Sequence, residues 1–423
     1  MKKIVKSASL IIVLLMCVTG GCFSQDGKRI TVTNPLAASR IDELIVLKRS
    51  LLENKAGPLN GYVKLTANGK DQVMQQDDLD GDGRWDEAAF LYSFKPKETV
   101  VFLISTFSKP HAGSVMPRAH VRLKKKGADD TFGPNLKREE MPLRNPATDF
   151  STQPLPLYLT EGPGWENDKV AFRLYFDVRN GKDIYGKRSP RMVLDSVGTK
   201  ATPSYHDLHD WGMDILHAGK SLGAGSLAFL VEQENGQDTL IRLGGQQVKR
   251  TVYEQIADGP IRAIFKMTYD WEIDRKPVQV TEQTSIWGGQ YFYESKVTVT
   301  GAPANTKLVI GIASFYNNIF QSFSSTGSTV LLSHGRQSEN KDNLGMAIIA
   351  PVSSVALVGA APNEGAEILN TYYLAENISA KTTNVFRFYA GWEKGDSRFA
   401  QLSYFKNFLQ AEAVKLAHPV VVE

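Results

Sequence analysis

Cysteine is nearly absent from this chain. Cys17 and Cys22 are the only two in 423 residues, and both fall at the N-terminal leader. A mature chain with at most one cysteine has no internal disulfide, no cysteine metal site and no thiol nucleophile. Net charge is scarce as well. Of the formal +4, Lys2, Lys3 and Lys6 belong to a leader without acids, so the mature chain is close to neutral and offers nucleic acid no basic surface. No apolar run beyond the leader is long enough to cross a bilayer. Internal repeats, low-complexity tracts and phosphate-cradling glycine motifs are all missing. Histidine is rare, with seven in the chain, yet His206, His209 and His217 fall within twelve residues.

What is present begins with an export signal. Met1-Lys2-Lys3 is a basic start, Leu10 to Val18 is an apolar core, and Thr19-Gly20-Gly21 precede Cys22. Cys22 is the expected lipid-accepting residue of an exported lipoprotein, outer-membrane or periplasmic, which touches the membrane only through that lipid. Plain cleavage after the leader is the alternative.

The pattern after residue 28 is β. Short runs such as Ile30-Thr31-Val32-Thr33 and Tyr62-Val63-Lys64-Leu65 are bounded by Asn-Pro and Asn-Gly turns. A smaller β domain is expected over 28–110, with a linker and edge strand over 111–157. The basic run Arg122 to Lys126 reads as a solvated edge that blocks strand pairing, or as a contact for an acidic polysaccharide. From residue 158 to 423 a long antiparallel series with frequent turns predicts a large β-sandwich. Phe399, Leu402, Phe405, Phe408 and Leu409 recur at near-helical spacing and predict one C-terminal helix over 396–417. The fold class is therefore mainly β.

The most specific local motif is the loop Asp78-Leu79-Asp80-Gly81-Asp82-Gly83-Arg84-Trp85-Asp86. Alternate carboxylates followed by glycine match the start of a calcium loop, with Asp78, Asp80, Asp82, Arg84 and Asp86 as the candidate ligand positions. The expected cofactor is a structural Ca²⁺, with no organic cofactor; a solvated acidic turn is the alternative.

Chemistry concentrates in two polar runs, Tyr205 to Gly212 and Gly181 to Arg188. Both read as too polar for core strands, and they are expected to meet in one open cleft. His206 or His209 is a candidate general base and Tyr185 or Tyr205 a candidate acid. Lys187, Arg188 or Arg173 is a candidate partner for a substrate carboxylate, and Trp165 and Trp211 are candidates for stacking on a sugar ring. His206, His209 and Asp210 also have the makings of a zinc site, and all of these groups have plainer structural readings.

Several segments carry a family resemblance. Glu161-Gly162-Pro163-Gly164-Trp165, Asp183-Ile184-Tyr185-Gly186-Lys187, His206, Trp211-Gly212 and Gly223-Ala224-Gly225 are among them. Asn34-Pro35 with Arg40, the Asp78–Glu87 loop, Asp258 to Arg262 and Ala390 to Glu393 are others. Together they resemble a family of secreted Bacteroidetes proteins classed as a domain of unknown function, over nearly the whole mature chain. The resemblance implies a galactose-mutarotase-like supersandwich and a genomic setting beside enzymes that dismantle uronate-bearing polysaccharides. Some relatives resemble lyases or dehydratases that eliminate across C4–C5 of a uronic acid. Three functions stand open at this point: such an eliminase, a glycoside hydrolase drawing on Glu161, Glu166, Asp183 or Asp210, and a non-catalytic sugar-binding lipoprotein. The expected partner in each case is a uronate-containing poly- or oligosaccharide.

Overall fold

A computed structural model describes residues 28–107, 115–232, 238–273, 275–316, 321–379 and 383–423. Residues 1–27, with Cys17 and Cys22, lie outside the described residues, as do Asn317 and Asn318. The chain is mainly β and its strands pair antiparallel.

Alternation in the sequence decides which face of each strand turns inward. In Arg262–Ile273 the side chains of Phe265, Met267, Tyr269 and Trp271 are buried, while Lys266, Thr268 and Asp270 between them stay partly exposed. The hairpin partner Lys276–Trp287 repeats this pattern in register. These two strands sit within a nine-stranded sheet that also contains Val248–Ala257, Phe292–Thr300, Asn384–Trp392 and Leu344–Pro351. Two five-stranded sheets pack on its inner face. One runs Gly212–Asp214, Lys182–Lys187, Val170–Leu174, Gly164–Asn167, Ala119–Arg122; the other centres on Ala224–Glu232 and Lys307–Ala313. Trp165, Phe172, Phe265, Tyr293 and Phe388 meet in the core between the layers. Apolar burial on that scale is the main force holding the sandwich.

A second core, around Ile30, Leu47, Leu65, Phe90 and Phe102, lies between a five-stranded and a three-stranded sheet built largely from the N-terminal hundred or so residues. The chain end returns to this core, because Val421–Val422 pairs with Arg29–Thr33. Helix Leu402–Ala417 buries Phe405 and Leu409 on the outer face of the nine-stranded sheet, against Phe292, Leu332 and Tyr389.

Three expectations need correction. The helix at the C-terminus is joined by a second, Arg49–Ala56, which buries only Leu52; two turns with one buried residue leave no periodicity to read. The basic run Arg122 to Lys126 is not a solvated edge throughout, because Arg122 is fully buried and bonded to the carbonyls of Leu159, Gly162 and Leu194. Lys182–Lys187 is a fully buried central strand despite its polarity.

Candidate functional site

The first five-stranded sheet has one apolar and one polar face, and both are buried. Trp165, Phe172, Ile184 and Met213 point into the sandwich core. Alternate residues, Arg122, Glu166, Arg173, Asp183, Tyr185, Lys187 and Asp214, point the other way and are also buried. Part of the covering is the loop 188–211, whose Val193, Leu194 and Val197 pack on Ala171 and Tyr185. Charges beneath a loop need partners, and they have them. Glu166 accepts from the backbone N–H of Val193 and Leu194, each at 2.7 Å, and from Lys187 Nζ at 2.5 Å. Arg122 donates to the carbonyls of Leu159, Gly162 and Leu194 and to Thr160 Oγ1. This end of the face is a clasp that holds the loop down.

Toward the other end the loop turns back as a tight reversal, with His209 and Gly212 exchanging backbone hydrogen bonds. Gly212 has φ 135°, and a Cβ there would lie 1.7 Å from the Gly186 carbonyl oxygen, so only glycine fits. The reversal presents Tyr205 and His206 beside Arg173. The Arg173 guanidinium donates to Asp183 (2.7 Å), Asp214 (2.8 Å), Tyr175 (2.6 Å) and Tyr205 (3.1 Å), and Glu161 lies 3.6 Å away. Glu161 arrives on a strained turn. Thr160 and Glu161 have φ of 47° and 66°, and a Cβ on Gly162 would lie 2.1 Å from the Leu174 carbonyl oxygen. Non-glycine residues rarely adopt such angles, and structures keep them where a side chain must be aimed. Arg179 completes the group, joining Glu161 and Asp177 at 2.5 Å each and lying over the Tyr175 ring.

Protonation follows from burial and neighbours. Burial opposes the Arg173 charge, but the surrounding phenols and carboxyls outweigh it and keep the guanidinium protonated. Burial, with Asp183 beside it, pushes the Asp214 carboxyl well up, against the pull of the Arg173 charge. Burial likewise raises Tyr205. The His206 side chain is 60% exposed, its Nδ1 lies 3.6 Å from Asp214, and its ring sits 4.4 Å from that of Tyr205. Partial burial and then the Arg173 charge lower its pKa, leaving a neutral imidazole ready to accept a proton. Tyr205 accepts from Arg173, which leaves its own O–H free to donate.

The two polar runs do lie side by side, since Lys182–Lys187 pairs with Gly212–Asp214. The members of the predicted site then divide. Tyr205 and His206 reach the open end. Tyr185 does not: it is fully buried, with its ring packed toward Tyr205 and Trp211, and its hydroxyl has no hydrogen-bond partner among the described residues. Lys187 is occupied in the clasp rather than free for a substrate carboxylate. Arg173 is 2% exposed and saturated by its own acids. Trp165 is a core residue against Phe172 and Phe265, with no face for a sugar. The Nε2 of His209 lies 2.7 Å from the Ser204 carbonyl and its ring stacks toward Trp211, so it braces the reversal. Trp211 is half-buried. Arg188 is exposed, donates to the His209 carbonyl, and keeps the rest of its fork available. Among the described residues the His206, His209 and Asp210 side chains do not gather as a metal set. Asp177, Arg179, Tyr316 and Glu339 were not singled out from the sequence. Glu339 lies 3.9 Å from His217, and Tyr316, 3.1 Å from Glu339, extends the exposed rim. They come from separate strand ends, and spacing carries no signal for that.

Far from this group, the acidic loop folds around its own carboxylates. Asp78, Asp80 and Asp86 bring ligand oxygens within 4.8 Å of one another, while Asp82 and Arg84 fall outside that set. Asp78 accepts from the N–H of Gly81 and Gly83, and Asp86 from that of Leu79. Slight desolvation acts against the Asp78 charge, but the donated N–H bonds win and hold its pKa low.

A family model described as "Domain of unknown function (DUF4861)" matches residues 32–422. The "Uncharacterized protein P7" of Formosa agariphila is 26% identical over 296 residues, which is 62% of this chain and 67% of that one. Two solved structures from Enterococcus faecalis overlap most of the chain. One, described as a protein in the glycosyl hydrolase family 38, aligns with a TM-score of 0.49 and 8% identity over 95% of this chain and 48% of that chain. The other, an α-mannosidase, aligns with a TM-score of 0.41 and 9% identity over 94% and 46%. The chain thus spans about half the length of each of those structures. With the family model covering all but the ends of the sequence, the chain belongs to the DUF4861 family.

Proposed function

We propose that the protein is a carbohydrate-active enzyme that acts on uronate-bearing poly- or oligosaccharides by β-elimination. The observation that carries this reading is the exposed, neutral His206 imidazole beside a Tyr205 phenol anchored on Arg173. In the reaction His206 takes the proton at C5 of the uronate. The C5–H electron pair becomes the C4=C5 double bond, and the C4–O bond breaks with its electrons leaving on oxygen. Tyr205 donates its proton to that oxygen. Arg188 is the available cation for the substrate carboxylate, because Arg173 and Lys187 are committed to internal acids. A hydrolase reading is weaker on the same grounds: Glu161, Glu166 and Asp183 are buried and ion-paired, leaving exposed Asp210 alone among its four candidate acids.

The same proposal includes a structural Ca²⁺ in the Asp78–Asp86 loop, whose hard oxygen ligands suit that ion. It also includes export, with Cys22 as lipid anchor and a surface or periplasmic station where polysaccharide is met.

The test is digestion of a panel of uronans, followed by ultraviolet absorbance of the conjugated double bond that elimination alone creates. His206→Ala and Tyr205→Phe are each expected to slow the reaction by about two to four orders of magnitude with folding intact. If the wild-type protein generates no such absorbance on any uronan, the elimination reading fails.

A further inference from the structure

A well-formed cleft lies on the other side of the nine-stranded sheet from His206. Its volume is about 550 Å³, within the roughly 300–1,000 Å³ usual for small-molecule sites. Its floor is the outer face of four adjacent strands, where alternation puts Gln283, Ser285, Glu294, Lys296 and Arg387 side by side. The N-terminal strand Arg40–Lys48 forms one wall and helix Leu402–Ala417 another.

Most charges here cancel in pairs. Arg387 bonds Glu294 at 3.0 Å, Arg262 bonds Glu87 at 2.8 Å, and Lys415 bonds Glu412 at 2.7 Å. Glu43 is taken by Arg40. Lys48 and Lys296 are left over. Among the described residues neither ammonium has an ion pair or hydrogen bond, and neither do the Gln283 amide and the Ser285 hydroxyl beside them. A cleft with two unpaired ammonium groups and an uncommitted amide and hydroxyl on its floor suits a polar, hydroxyl-rich anion.

We propose that this cleft is a second, non-catalytic site that binds an anionic oligosaccharide, with Lys48 and Lys296 selecting for carboxylate. The choice of a saccharide over another polar anion rests on the function proposed above. The sheet separates this cleft from the His206 group, so the two sites are occupied independently.

The experiment is calorimetric titration of the full chain, carrying His206→Ala to prevent turnover, with tetragalacturonate and with uncharged maltotetraose. Tetragalacturonate is expected to bind, more weakly as salt is raised, and maltotetraose to bind at least tenfold less well. Replacing both lysines, Lys48→Ala with Lys296→Ala, is expected to weaken tetragalacturonate by about tenfold to a hundredfold, the worth of one or two charged hydrogen bonds. Lys296→Arg with Lys48 intact is expected to keep most of the affinity. Unchanged binding after loss of both lysines, equal binding of maltotetraose, or no measurable binding of tetragalacturonate overturns the inference. The elimination assay is read separately on protein with His206 present. If product forms while the two lysines make no difference to binding, the cleft proposal falls and the catalytic reading stands.

Discussion

The Nδ1 of His206 lies 3.6 Å from a carboxyl oxygen of Asp214, which is 2% exposed. One partner faces solvent and the other is buried in the Arg173 group, so the pair connects the surface to the interior charge network. Burial and Asp183 push Asp214 up, while burial and Arg173 push His206 down. Groups whose surroundings drive their pKa values apart in this way are how a site sets up acid and base roles at one pH.

That relationship predicts the pH dependence of turnover. Since His206 must be neutral to act as base, the acid limb of the rate profile should fall below the ordinary histidine value of about 6.5. Asp214→Asn keeps the shape and hydrogen-bonding capacity without a titrating carboxyl, and should leave the limb where it is or lower it. Kinetics over a pH series on both proteins checks this; an acid limb above the ordinary value would show that the nearby carboxylates, rather than burial and Arg173, govern the imidazole.

The clasp predicts a stability cost. Burial lowers the Lys187 pKa, with Glu166 opposing that shift, and the two side chains are almost wholly enclosed. Lys187→Ala leaves the Glu166 carboxylate buried with only its two backbone donors, which should cost roughly 3–5 kcal/mol in urea unfolding. The loop 188–211 should also become more open to protease, because Glu166 ties it down through Val193 and Leu194.

A third expectation concerns alkaline pH. His120 Nδ1 lies 2.9 Å from Asp258 and Nε2 lies 3.4 Å from Asp195. Burial works against the charged ring, but the two carboxylates outweigh it and push the pKa up to about 9. Asp195 is correspondingly held low, chiefly by His120. A folded-state pKa above the unfolded value means the charge stabilises fully below about pH 6.5 and the benefit fades as pH rises through about 9. The melting-temperature gap between wild type and His120→Gln should therefore be widest below about pH 6.5 and close at alkaline pH. A gap that is constant with pH would mean that packing, not charge, is what His120 supplies.

Metal removal gives a fourth. Added Ca²⁺ should raise the melting temperature by mass action, and chelator should lower it. Asp80→Ala should abolish the calcium response, because Asp78, Asp80 and Asp86 form the close set. Asp82→Ala should weaken it less, since Asp82 lies outside that set. Identical melting curves with calcium and with chelator would leave the loop as an acidic turn held by its own N–H bonds.

Local pattern was enough to locate most strands and the long helix. Alternation in Arg262–Ile273 and near-helical spacing from Phe399 to Leu409 express a choice between inside and outside that each residue makes by its own polarity. The same rule hid the strand Lys182–Lys187. Its Lys182, Asp183 and Lys187 are buried because Glu282, Arg173 and Glu166 meet them from other strands, and no neighbour in sequence announces those partners. Composition alone established that cysteine occurs only at positions 17 and 22, so no disulfide ties the strands together, and residue type alone drew attention to the histidine run. Tertiary structure decided which of those residues could act. Tyr185 and Tyr205 are the same side chain twenty residues apart. One lies under the loop, its hydroxyl without a partner among the described residues, and the other meets Arg173 at the rim beside His206. Access and charge pairing depend on what folds over a side chain, and that is a property of distant segments brought together rather than of the residue or its spacing.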